Sequence, residues 1–130
     1  MKHYLVVAAV ILHEDKILCV QRGKNKFDYI SNKYEFPGGK VEDGESETDA
    51  IIREIREELE IDIIVNDEYM TVKHQYPDFE LTMHSFLCHS EDTRLTLTEH
   101  IDYKWLKKHE LNQLDWAAAD IPIVEKLMKS

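Results

Sequence analysis

The stretch from Gly39 to Ile61, GKVEDGESETDAIIREIREELEI, constrains this chain more than any other. It reads as a glycine loop feeding a helix. Ser46 is a suitable N-cap, and Asp49 three residues later completes the S-x-x-[DE] capping pattern, which predicts a helix beginning at Glu47. Glu47 and Asp49 also suit the positive end of the helix dipole. Ile51, Ile55 and Leu59 recur every fourth residue with Ala50 and Ile52 beside them, an apolar stripe to set against a core. On the other face Glu54, Glu57 and Glu58 stand at i, i+3 and i+4, so three carboxylates lie side by side. Like charges so spaced destabilise a bare helix by roughly 0.2–0.5 kcal/mol per pair. Arg53, one turn before Glu57, and Arg56, within reach of Glu60, offset part of this. A hard divalent cation taking oxygen ligands is the further partner such a cluster suits. Taken alone, the same residues also describe a solvated, charge-rich helix face.

The glycine loop tips the balance. The run is Gly39, five residues, Glu45, seven residues, Arg53-Glu54-Ile55, one residue, Glu57-Glu58, one residue, then Glu60-Ile61. This resembles the Nudix box, G-x5-E-x7-R-E-U-x-E-E-x-G-U with U an aliphatic residue. It departs from the box only at the last glycine, where Glu60 stands. A pattern with so many fixed positions is rarely met by chance. The missing glycine belongs just past the helix, where left-handed backbone is expected and a non-glycine residue costs about 1–2 kcal/mol. The departure therefore bears on the helix end and not on the carboxylates.

At 130 residues the chain reads as one domain, residues 1–130, without repeats or linker-like runs. Its formal net charge is −10 and its basic residues form no stripe, which argues against a nucleic-acid polymer as partner. A nucleotide is compatible with that charge, because bound cations neutralise phosphate. Cys19 and Cys88 lie in apolar, strand-like runs and read as reduced core residues. The N-terminal MKHYLVVAAVIL has a cation before an apolar run, but it passes straight into His13-Glu14-Asp15-Lys16 and a second strand-like segment without a cleavage region. No stretch approaches a membrane span, so the cytoplasm is the expected compartment.

Leu5 to Leu12 predicts a strand buried on both faces, His13 to Lys16 a turn, and Ile17 to Gln21 the return strand of a hairpin. Arg22 closes that strand. Gly38-Gly39 lets backbone approach a ligand closely, with Pro37 stiffening the entry. After the helix, Ile61–Val65, Glu68–His74 and Glu80–Cys88 read as strands, with Tyr76-Pro77-Asp78-Phe79 the turn between the last two. Tyr76, Phe79, His84 and Phe86 are candidates for a base pocket as well as for core. Histidines 74, 84, 89 and 100 lack the spacing of a zinc site. Tyr103 to Leu106 is a short strand preceded by Glu99 on a loop, and Pro122 stands in the first turn of a final amphipathic helix, with Asp120 placed to cap it.

The resemblance runs from the first strand to the last helix and is closest to the MutT-like and CTP pyrophosphohydrolase branch of the Nudix family. It implies an α/β fold, an α/β/α sandwich with a mixed β-sheet between helices. It implies Mg2+-dependent attack of water on a phosphorus of a nucleoside triphosphate, with Mn2+ as a substitute, giving the monophosphate and pyrophosphate. CTP, dCTP or a modified dCTP is the preferred substrate in that reading and 8-oxo-dGTP the alternative, while a non-catalytic nucleotide-binding domain is the alternative of another class. The implied metal ligands are the Gly39 carbonyl, Glu54, Glu57 and Glu58. Glu54, oriented by Arg53, is the general base, with Glu99 its competitor and Glu45 a support. Arg22 and Glu35 are implied on the substrate phosphates or metal-bound water, and Asp120 with Trp116 at the base pocket. A carboxylate at position 120 accepts hydrogen bonds, which selects the exocyclic amine of cytosine, then N1 and N2 of guanine. The protein is expected as a monomer or a homodimer acting on a small molecule.

Overall fold

A computed structural model describes residues 1–130. The chain forms strands β1 (Lys2–His13), β2 (Lys16–Arg22), β3 (Tyr34–Glu35) and β4 (Gly38–Lys40), helix α1 (Glu47–Leu59), strands β5 (Ile64–Gln75), β6 (Phe79–His89) and β7 (His100–Lys107), and helix α2 (Ile121–Lys129). Short 3-10 turns at Lys108–Gln113 and Ala118–Asp120 lead into α2.

The centre is β1, whose apolar run is buried on both sides as its composition requires. Val7, Ala9 and Ile11 pack with Ala50, Ile51, Ile55 and Leu59 of α1. Ala8 and Val10 face the opposite way, into a core with Ile123, Val124 and Leu127 of α2. The result is a mixed sheet between two helices. One edge of β1 pairs in parallel with β6 from Lys2↔Phe79 to Leu12↔His89. On the other edge β2 pairs only at the hairpin end, Leu12↔Ile17 and His13↔Lys16. Beyond that, β4 takes over the edge at Val6↔Lys40 through Ala8↔Gly38, while β2 turns to β3 and β7. Gly38 makes this exchange possible, because a methyl there would overlap the Val7 carbonyl.

Helix α1 begins where its capping pattern predicts. The Ser46 hydroxyl accepts from the Asp49 N–H at 3.1 Å. It ends at Glu60, which occupies the left-handed region at φ 56° in place of the box glycine. The neighbouring segment satisfies carbonyls that the helix end leaves free. The Thr96 N–H donates to the Leu59 carbonyl at 3.1 Å, the Thr98 N–H to that of Glu58 at 3.1 Å, and the Thr98 hydroxyl to that of Glu57 at 2.9 Å.

Several expectations change. Residues 61–65 and 68–74 are not two strands: β5 is continuous from Ile64, with register shifts between Val65 and Asp67 and between Glu68 and Met70. Bulges reverse the alternation of faces, so one strand mimics two in sequence. Ile61 and Ile63 precede it and are buried against α1. Arg56 pairs with Asp62 at 2.8 Å, not with Glu60, which lies past the end of helical geometry. Tyr76 and Phe79 pack in the core on the α2 side, whereas His84 binds Glu47 at 2.7 Å and Phe86 joins the core under α1. The four rings therefore do not converge on one pocket, although His84 and Phe86 both line a cavity beside Glu47. Cys19 and Cys88 are free thiols in separate cores, each pushed up to about 12 by burial. No helix is long and apolar enough to cross a membrane.

Candidate active site

Glu45 and Arg53 form the frame of the site. The Arg53 guanidinium grips Glu45 through Nε to Oε2 at 2.7 Å and Nη2 to Oε1 at 2.9 Å, a two-pronged geometry that only arginine supplies. This hydrogen-bonded pair holds the Glu45 carboxyl down at about 2 and Arg53 above its usual range. Arg53 Nη2 also donates to the Lys40 carbonyl at 3.1 Å, tying α1 to β4. Its Nη1 donates to Glu54 Oε1 at 2.9 Å and reaches Glu57 Oε2 at 3.3 Å. One side chain thus fixes Glu54 relative to the glycine strand.

Gly39 lies directly against Glu54, and a methyl at position 39 would overlap the Glu54 carboxyl. Glu58 stands beside Glu54 with a side chain only 5% exposed. Burial, the hydrogen bond to Glu54, and the negative charges of Glu35, Glu54 and Glu99 all raise its carboxyl. Two adjacent carboxyl groups, Glu58 buried and Glu54 partly buried, behind an open glycine backbone are the oxygen donors that a hard divalent cation fits once they are deprotonated. Glu57 stands apart: its side chain is 60% exposed and turned to Arg53. No three acidic or imidazole side chains are drawn into a closed cage. Glu99 is exposed on the loop before β7, within electrostatic range of Glu58.

A second chain of contacts approaches Glu58 from the sheet. Arg22 Nε donates to Glu35 Oε1 at 2.7 Å, and Glu35 Oε2 lies 3.0 Å from His100 Nε2, which is itself 3.8 Å from Glu58 Oε1. Burial would raise Glu35, but the hydrogen bond from His100 and the adjacent Arg22 outweigh it and hold the carboxyl below its usual range. Arg22 thus ends β2 as expected, already paired and with its side chain 44% exposed. His100 carries no motif spacing. Its only hint in the sequence is its place beside Glu99.

Asp120 does not cap α2. Its side chain turns into the sheet, where Oδ1 accepts the Phe36 N–H at 3.0 Å. Burial, then the charge of Glu35, raises its carboxyl well above the ordinary range. The one hydrogen bond its carboxyl makes is as an acceptor, from the backbone of Phe36. Trp116 stacks on Phe36 at 4.7 Å between ring centres, and its N–H is taken by the Leu111 carbonyl at 2.7 Å. Its ring is part of the core on the α2 side, and its N–H is already satisfied. A separate cavity of about 400 Å³, lined by Glu47, Tyr69, Thr71 and His84 among others, lies at the start of α1 and includes none of these groups.

The NUDIX domain matches residues 6–126, and the chain belongs to the Nudix family. It is 39% identical over 130 residues to the CTP pyrophosphohydrolase of Escherichia coli K12, covering 98% of this chain and 93% of that protein. It is 27% identical over 129 residues to the 8-oxo-dGTP diphosphatase of the same organism, covering 99% of each. The solution structure of a Nudix-family MutT protein from methicillin-resistant Staphylococcus aureus 252 superposes with a TM-score of 0.74 at 44% identity, over 99% of this chain and 98% of that one.

Proposed function

We propose that this chain is a Mg2+-dependent nucleoside triphosphate pyrophosphohydrolase with a preference for CTP, dCTP or a modified dCTP, working as a cytoplasmic enzyme. The observation that carries the hydrolase reading is the placement of Glu54 and Glu58 behind Gly39, with Arg53 holding Glu54 in place. Glu54, Glu58 and Glu57 with the Gly39 carbonyl are the groups that would hold the cation, Glu57 swinging in from its exposed position. When bound, the cation neutralises charge on the phosphates and makes water a better nucleophile. Glu54 takes the proton from water as it attacks a phosphorus, because Arg53 fixes its orientation and its second oxygen remains free of that bond. Glu99, on the loop docked to the end of α1, is the alternative acceptor for that proton. Arg22, at the mouth of the site, meets substrate phosphate.

Base choice falls to Asp120. Its carboxyl accepts from the N4 amine of cytosine and, whenever it is protonated, also donates to N3. The 39% identity to a CTP pyrophosphohydrolase supports that reading. The 27% identity to an 8-oxo-dGTP diphosphatase keeps the oxidised guanine nucleotide as the second reading. Retention of all the box carboxylates disfavours a domain that binds nucleotide without turnover.

Pyrophosphate release across CTP, dCTP, 5-methyl-dCTP, dGTP and 8-oxo-dGTP, measured with Mg2+ beside Asp120→Ala, tests both parts. A cytosine preference that disappears in the variant supports the base reader. A preference for 8-oxo-dGTP moves the substrate and keeps the chemistry. Tight binding with no pyrophosphate from any of them overturns the enzyme.

A further inference from the structure

The first residue of β7 joins the sheet side of the site to its helix side. His100 pairs with Arg22 across the β2–β7 ladder, where the register shifts between Gln21 and Arg22. The loop just before it is pinned to the end of α1 by the Thr96 and Thr98 hydrogen bonds. Its backbone is thus held from both sides of the site, and its side chain is 4% exposed. Arg22 occupies one oxygen of Glu35, leaving Oε2 to accept from His100, so Nε2 carries the proton. At 3.8 Å, Glu58 Oε1 is near enough to feel that N–H and too far to be bonded by it. His100 therefore does not occupy Glu58 Oε1.

The other ring nitrogen supplies an independent observation. Nδ1 of His100 is buried and has no hydrogen-bond partner, the one side-chain polar atom in the molecule in that condition. A ring kept for packing would be better replaced by an apolar side chain, since an unsatisfied buried nitrogen works against the fold. We propose that His100 is a positioning residue of the hydrolytic site. Its Nε2–H holds Glu35 against Arg22 while the same ring stands 3.8 Å from Glu58 Oε1, so that one buried imidazole spaces the metal-holding side of the site from the phosphate-meeting side. This rests on the assignment of Glu58 to the cation.

The test uses the full chain, with Mn2+ as probe and no nucleotide. His100→Leu removes the donor and fills the volume, while His100→Gln keeps an amide N–H at about the reach of Nε2. Calorimetric Mn2+ affinity is expected to fall at least tenfold in His100→Leu and to recover most of that loss in His100→Gln. The metal-free melting temperature should fall in His100→Leu, because the largely buried Glu35 Oε2 loses its donor, and should recover in His100→Gln; a fall in melting temperature with unchanged Mn2+ affinity would mark a merely structural histidine. With CTP and saturating Mg2+, kcat should fall at least tenfold in His100→Leu while KM changes less than threefold. Mn2+ affinity of His100→Leu within twofold of the parent overturns the proposal. If His100→Leu does not fold, His100→Asn replaces it, since its shorter amide falls short of Glu35; equal affinities for the Gln and Asn variants then overturn the proposal. Absence of Mn2+ binding by the parent protein removes the Glu58 assignment and the role of His100 with it. Absence of CTP turnover alone would overturn the substrate reading and leave the Mn2+ comparison intact.

Discussion

Arg53 reaches back across the first turns of its own helix to grip both oxygens of Glu45, at 2.7 and 2.9 Å, while its remaining nitrogen holds Glu54 at 2.9 Å. A lysine at this position has the charge but not the fork. Arg53→Lys and Glu45→Gln are therefore expected to keep the fold by circular dichroism and to lower kcat by about 10–100-fold, the usual cost of losing a support to a metal-site carboxylate. A variant within threefold of the parent would show that Glu54 needs no such support.

Neighbouring glycines should fail differently. At Gly39 an added methyl meets the end of a flexible side chain, the Glu54 carboxyl, whereas at Gly38 it meets the Val7 backbone. Gly39→Ala is expected to fold and to lose metal-dependent turnover, because Glu54 must move aside. Gly38→Ala is expected to separate β4 from β1 and to yield little folded protein. Thermal melts with and without Mn2+ distinguish the two outcomes.

The stripe, the cap and the carboxylate face of α1 were legible in sequence because each is local, set by periods of three and four residues. What lay beyond was non-local or irregular. The bulges in β5 disguised one strand as two, since each reverses the side-chain alternation on which strand reading depends. Asp120 could be placed near α2, but its partner Phe36 lies 84 residues away in sequence. His100 shows only as a histidine after a glutamate; its meaning depends on β2, β3 and α1 meeting around it.

Glu58 gives a prediction with a sign. Its carboxyl is raised by burial and by neighbouring carboxylates, so in metal-free protein its contribution to stability is full below the ordinary glutamate range and is lost as pH rises toward the raised folded value. Glu58→Gln removes that dependence. Metal-free Glu58→Gln should thus gain on the parent as pH rises above about 5, by at most about 1.4 kcal/mol per pH unit. Turnover should be abolished and the stabilisation by Mn2+ lost. Denaturant midpoints at pH 5 and pH 8 check this, and an unchanged difference would show that Glu58 is not raised.

Asp120 predicts a pH effect on binding. In the proposed base-reading role, the raised carboxyl would donate to N3 of cytosine while protonated, and that donor would be lost as pH rises through its folded value. KM for CTP should therefore climb with pH in the parent protein. Asp120→Asn, which keeps a donor and an acceptor at all pH values, should hold KM flat. Asp120→Ala should lose cytosine preference and also about 1–3 kcal/mol of stability, because the buried Phe36 N–H is left without its acceptor.

The end of α1 offers a gain. Glu60 sits at φ 56°, where a side chain is disfavoured and glycine is not, and its own N–H still bonds the Arg56 carbonyl. The Thr96 and Thr98 bonds to carbonyls of the last turn hold the helix end in place, so the substitution has no frame to rebuild. Glu60→Gly is expected to add about 1 kcal/mol of stability, offset partly by the greater freedom of glycine in the unfolded chain. That corresponds to a rise of a few degrees in Tm for a chain of this size. Because Glu60 lies past the helix and outside the carboxylate cluster, kcat should stay within twofold of the parent. A fall in Tm would mean that the Glu60 side chain makes a stabilising contact large enough to outweigh its backbone strain.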